Sequence, residues 1–142
     1  MLTIELTEEV NAPVETVWSL IADPLRQREF VAYEITEARQ TNATDLGPDF
    51  RWHEAGVLLG RRYECDCCVF GWEPPQWFCF GTRNLFHVSY ELAPTPHGTR
   101  IAYRCELPQT PEARRSPFTD LCQNSLRQLK AKAEQATHPT QP

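Results

Sequence analysis

The chain has 142 residues, 41% hydrophobic and 23% charged, with a formal net charge of −5. That acidic balance excludes a nucleic-acid binder, which needs a clustered Lys/Arg surface. No run of about 18 apolar residues exists to span a membrane, and the opening lacks a basic-then-apolar secretory signal, so the expected location is the cytoplasm.

The opening, MLTIELTEEV, reads as a strand. Asn11 is placed to cap a short helix, and Pro13 suits its first turn, where a missing N–H costs nothing. Val14, Val17, Trp18 and Ile21 recur at helical spacing, and Glu15 favours the positive end of the helix dipole. Asp23-Pro24 stops this helix and starts a second short one that runs to Phe30. The period then changes to two: VAYEITEARQT (31–41) alternates and predicts a strand, and NATDLGPD (42–49) is a loop. FRWHEAG (50–56) reads as a short strand and VLLGRRYECDCCVFGWE (57–73) as a longer one. Pro74-Pro75 breaks the chain before the return strand QWFCFGTR (76–83).

A hairpin follows, with TPHG (95–98) as its turn. Placing Tyr90 opposite Tyr103 also sets Val88 against Cys105, Leu92 against Ile101 and Phe86 against Leu107. Every large side chain then shares one face, and His87, Ser89, Glu91, Ala102, Arg104 and Glu106 take the other. From Ser116, read as a cap, with Pro117 in first position, Phe118, Leu121, Cys122, Ser125, Leu126, Leu129 and Ala133 form one helical stripe. Residues 1–136 read as a single domain, sized to bury roughly 68% of its unfolded surface, with 137–142 as a frayed tail. The order is one strand, two short helices, six strands and one long helix. An α+β fold follows, with a seven-stranded antiparallel sheet curved around the long C-terminal helix.

Four stretches, APVETVWSLIADP, GPDFRW, WEPPQWFCF and YELAPTPHGTRIAYRCEL, resemble in order and spacing the START-like (SRPBCC) superfamily. The likeness is closest to its polyketide cyclase/dehydrase-like branch and covers about residues 3–133. It implies a helix-grip fold, with the short helices closing one end of a cup. The matching residues (Ala12, Pro13, Val17, Trp18, Asp23, Gly47, Gly98, Thr99) have structural roles, so the resemblance carries over no catalytic residue.

Trp52 and Glu54, then Tyr63, Trp77, Phe86, Tyr90 and Tyr103, are the side chains expected to line the cup. Leu121, Cys122 and Ser125 would cover it. Aromatic area with polar tips suits a hydrophobic ligand carrying a few oxygens. The small Cys122 and Ser125 would leave volume, so bulk added at Ser125 should fill the pocket at little cost in stability. His53 should point away from Trp52. Between 61 and 70 periodicity leaves two options, with either Tyr63, Cys65 and Cys67 or Arg62, Glu64 and Asp66 facing inward. CDCC at 65–68 alternates faces, so its thiols do not converge on a metal, and all six cysteines are expected reduced. No motif calls for a cofactor. The leading expectation is a binder of a hydrophobic or aromatic small molecule. An enzyme of the cyclase/aromatase type, closing a poly-carbonyl chain by aldol cyclisation and dehydration, is the alternative. A co-chaperone-like interaction module is a third class. Nothing in the sequence specifies an oligomeric state.

Overall fold

In the computed structural model, which describes residues 1–138, β1 (Leu2–Val10) leads into helix α1 (Val14–Ile21) and a 3-10 turn at Pro24–Glu29. Six strands follow: β2 (Glu34–Gln40), β3 (Arg51–Leu58), β4 (Arg61–Glu73), β5 (Trp77–Thr82), β6 (Phe86–Thr95) and β7 (Gly98–Leu107). A short 3-10 turn, Glu112–Arg114, then enters helix α2 (Arg115–Thr137). The strands form one antiparallel sheet in the order β1-β7-β6-β5-β4-β3-β2. Consecutive strands β1 and β2 thus lie at opposite edges. The two short helical segments bridge that gap, and α2 lies over the concave face: this is the helix-grip arrangement. Among the described residues no helix is long and apolar enough to cross a membrane.

Local chemistry explains most boundaries. Val17, Leu20 and Ile21 bury one face of α1, and Asp23 Oδ1 accepts the Leu25 N–H at 3.0 Å to start the next turn. That second segment winds as a 3-10 helix rather than an α-helix. Asn11 does not cap α1. The N-cap position is Pro13, and the Asn11 N–H instead donates to Glu134 Oε2 at 2.8 Å, joining the start of α1 to the far end of α2. Strand β2 begins at Glu34, not at 31, because the Val31 N–H still bonds back to Gln27 O at 3.0 Å.

Two further expectations change. Val57 and Leu58 belong to β3, and the chain reverses at Leu59-Gly60, both at positive φ (48° and 81°). That geometry is the hairpin turn that matches strand twist, here without an Asn-Gly or Asp-Gly signal to announce it. Ser116 is no cap either: α2 starts at Arg115, whose guanidinium pairs with Glu112 and reaches Thr3 O at 2.7 Å. Pro117 still falls in the first turn, where amides lack helical partners. At the other end Thr137 remains helical, and 139–142 of the expected tail lie outside the described residues.

The last hairpin has the expected register, with Tyr90 opposite Tyr103, Val88 opposite Cys105 and Leu92 opposite Ile101. On α2, Cys122, Ser125, Leu126, Leu129 and Ala133 are buried, while Phe118 and Leu121 are half-buried. Beneath α1 the core is aromatic. Trp18 meets Trp72 at 5.3 Å, Trp72 meets Phe78 at 5.7 Å, and Phe80 bridges to Trp52 at 5.7 Å.

Candidate functional site

Next to that aromatic cluster, with Phe80 common to both, the concave face and the first turns of α2 enclose a cavity of about 280 Å³. Its position follows from strand register. Glu54 of β3 sits opposite Cys65 of β4, Gly56 opposite Tyr63, and His53 opposite Asp66. Tyr63, Cys65 and Cys67 therefore face inward, and Arg62, Glu64 and Asp66 face out, which resolves the two options for this strand. On the outer face His53 lies 2.8 Å from both Asp66 and Glu64, hydrogen bonds that hold its imidazole above the usual range.

The floor of the cavity is polar. Glu54, only 3% exposed, accepts the Tyr63 hydroxyl at 2.7 Å and a longer bond of 3.4 Å from Trp52 Nε1. Burial raises its carboxyl above the ordinary range, and both hydrogen bonds oppose that effect without cancelling it. Gly56 makes the arrangement possible: a Cβ there would come 2.9 Å from the Tyr63 ring and 2.0 Å from Glu34 O. The Tyr33 ring meets Tyr63 edge to face at 6.0 Å. Burial also pushes the Tyr33 and Tyr63 phenols up, so both stay protonated donors at neutral pH. Along one wall Tyr103 donates to Cys122 Sγ at 3.4 Å. Cys65 Sγ lies 3.6 Å from Cys67 Sγ, which is in turn 3.6 Å from Thr82 Oγ1. All six cysteines are free, and among the described residues no cluster of His, Cys, Asp or Glu could hold a metal.

Six of the expected residues meet at this cavity: Glu54, Tyr63, Phe86, Tyr103, Leu121 and Cys122. The other four do not line it. Trp52 is fully buried in the aromatic core, and Tyr90 lies behind Tyr103, ring to ring at 5.3 Å. Trp77 points to the convex face, since Phe78 and Phe80 take the inward positions of β5. It donates to Ser89 Oγ at 2.9 Å and lies over Gly71, where a Cβ would come 2.3 Å from the indole. Ser125 is a clamp: its Oγ accepts the Ala32 N–H at 2.8 Å, holding the segment that carries Tyr33 against α2. That bond argues against the expectation that bulk at Ser125 would cost little stability.

Tyr33, Leu58, Leu85, Val88 and Phe118 also line the cavity and were missed. Tyr33 alternated with Val31 and Ile35, a usable signal. Leu85, in a turn, gave none. A larger depression of about 570 Å³ between residues 11–15 and 94–98 is a surface cleft between turns, with no buried acid or base in it. The cavity itself offers apolar walls and clustered hydrogen-bonding groups at one end. It can orient a small apolar molecule and offer it a proton.

The family model described as polyketide cyclase / dehydrase and lipid transport matches residues 1–134. Protein NE0264 from Nitrosomonas europaea is 18% identical, with 95% of this chain and 96% of that one aligned and a TM-score of 0.74. TTHA0849 from Thermus thermophilus is 14% identical, covering 96% and 99%, with a TM-score of 0.76. The di-domain ARO/CYC StfQ from the steffimycin biosynthetic pathway is 12% identical over 94% of this chain and 51% of its own, with a TM-score of 0.71. No curated protein matches significantly. At these identities the solved structures speak for the fold alone.

Proposed function

This chain belongs to the polyketide cyclase / dehydrase and lipid transport family, and from that membership we propose that it binds a small, neutral ring compound under α2. The observation that carries the reading is the Glu54–Tyr63 hydrogen bond at one end of an otherwise apolar cavity, with Tyr33 in the wall beside it. An engineered cavity of about 150 Å³ holds one benzene ring. A volume of about 280 Å³ therefore suits roughly two fused rings. Apolar contact would supply the affinity, at about 25 cal/mol per Å² before the costs of association. The floor would fix the orientation of one oxygen. Residues 1–136 are read as one START-like unit, and six free thiols fit the cytoplasm.

One observation favours a second reading, the cyclase/dehydratase. A carboxyl that burial makes harder to ionise suits proton donation to a carbonyl or a departing hydroxyl, and Glu54 faces the cavity. The cavity's size weighs against a long poly-carbonyl chain, so binding leads. An interaction module of the co-chaperone kind calls for a filled cup, which the cavity disfavours.

The test uses 2-naphthol, neutral and two-ringed, titrated into labelled protein and followed by NMR. Saturable shifts are expected at Tyr33, Glu54, Tyr63 and Leu121. Leu121→Trp should abolish them while changing stability by less than about 1 kcal/mol, because the added bulk enters empty space. Shifts elsewhere, or unchanged binding by the variant, would sink the proposal.

A further inference from the structure

We propose that the compound the cavity receives is an α,β-unsaturated carbonyl, and that Cys65, with Cys67 behind it and Glu54 opposite it, is the thiol that adds to it. The inference rests on the cavity being a ligand site and goes beyond reversible binding. Four of the six cysteines gather at this one place. Cys65, Cys105 and Cys122 are in the cavity wall, and Cys67 stands 3.6 Å from Cys65.

Cys65 is the thiol suited to react. Cys67, Cys105 and Cys122 are buried, whereas Cys65 is half-exposed on the cavity side. Its neighbour assists: the hydrogen bond from Cys67 stabilises a thiolate at Cys65 and holds that thiol below the usual range. Glu54 pairs directly with Cys65 across the two strands, so their Cβ atoms are about 5 Å apart. In an enone the electrophilic carbon and the carbonyl oxygen are only a few bonds apart, a span that two adjacent cross-strand side chains can address together.

The step balances without an oxidant or reductant. The Cys65 Sγ–C bond forms at the β-carbon as the C=C π pair moves toward the carbonyl oxygen. The Glu54 carboxyl gives its proton to the resulting enolate, and the proton lost by Cys65 restores the carboxyl. The product is a thioether carrying a saturated ketone.

Two one-ring probes differing by a single unsaturation test this on the full chain. Cyclohex-2-enone is the reactive one, with adducts located by fragment-ion mass spectrometry, and cyclohexanone is the unreactive one, followed by NMR shifts. Cyclohexanone should perturb Glu54 and Tyr63. Cyclohexenone should label Cys65 about tenfold faster than Cys68 or Cys79, two half-buried thiols on the convex face that serve as comparators in the same molecule. Cys67→Ala should slow labelling of Cys65 several-fold without abolishing cyclohexanone binding, and Glu54→Gln should slow the labelling several-fold. If cyclohexanone binds but Cys65 is not labelled first, the inference is overturned and the cavity reading survives. If neither probe reaches the cavity, both fall.

Discussion

The concave face has two ends, both rich in aromatic residues, yet one is solid and the other hollow. At the solid end Trp18, Trp72, Phe78 and Phe80 interlock at ring-centroid distances of 5.3–6.3 Å under α1. At the hollow end Tyr33, Tyr63 and Tyr103 supply comparable ring area, but each carries a hydroxyl. A buried hydroxyl needs a partner, and the partners here are Glu54 for Tyr63 and Cys122 for Tyr103. Rings held by their polar tips cannot also slide together to close the gap. The cover matters as much. Over the aromatic cluster α1 brings a tryptophan, whereas over the cavity α2 brings Phe118, Leu121 and the small Cys122.

Mutations can break this contrast. Phe78→Ala, at a fully buried position of the solid end, is expected to cost about 3–5 kcal/mol in urea unfolding. A loss no greater than for residues around the cavity would mean the two ends do not differ. Ser125→Trp should cost roughly 1–3 kcal/mol by overpacking the clamp to Ala32. Unaltered stability would show that the cavity extends beneath that turn of α2. Tyr63→Phe removes one hydrogen bond at the hollow end, for a loss of about 1 kcal/mol, and should move the Glu54 titration to higher pH in NMR.

The smallest effect is Glu54→Gln, and its size depends on pH. Burial raises the folded-state pKa of Glu54, so the unfolded chain ionises first as pH rises from about 4. Below that pH both states are protonated and the group is neutral in effect. Through the window between the two values the wild type loses stability, and above it the loss is complete. The glutamine variant escapes this, so its stability relative to wild type should grow between pH 4 and pH 7. A difference independent of pH in paired urea titrations would show that Glu54 is not desolvated.

Much of this architecture was legible because strand and helix periods are local. Alternation from Phe86 to Leu107 set the register of β6 against β7, and the stripe from Phe118 to Ala133 identified the covering face of α2. The same alternation, applied to FRWHEAG, put Glu54 inside and His53 outside. It also held the clue that Trp77 must face outward, since Phe78 and Phe80 cannot share its side, but the pull of a tryptophan toward the core outweighed it. The turn at Leu59-Gly60 was hidden because leucine at positive φ has no sequence signature.

By itself, then, the sequence determined which face the residues of β3, β6 and β7 take and that a helix must cover the sheet, because both follow from backbone periods of two and 3.6. Only the tertiary structure decided which inward residues touch and which leave space between them. Ser125 clamps Ala32, Gly56 admits the Tyr63 ring, and Tyr33 closes over the floor through contacts that join separate strands and α2. A cavity is a mismatch among surfaces brought together from across the chain, and no local period records it.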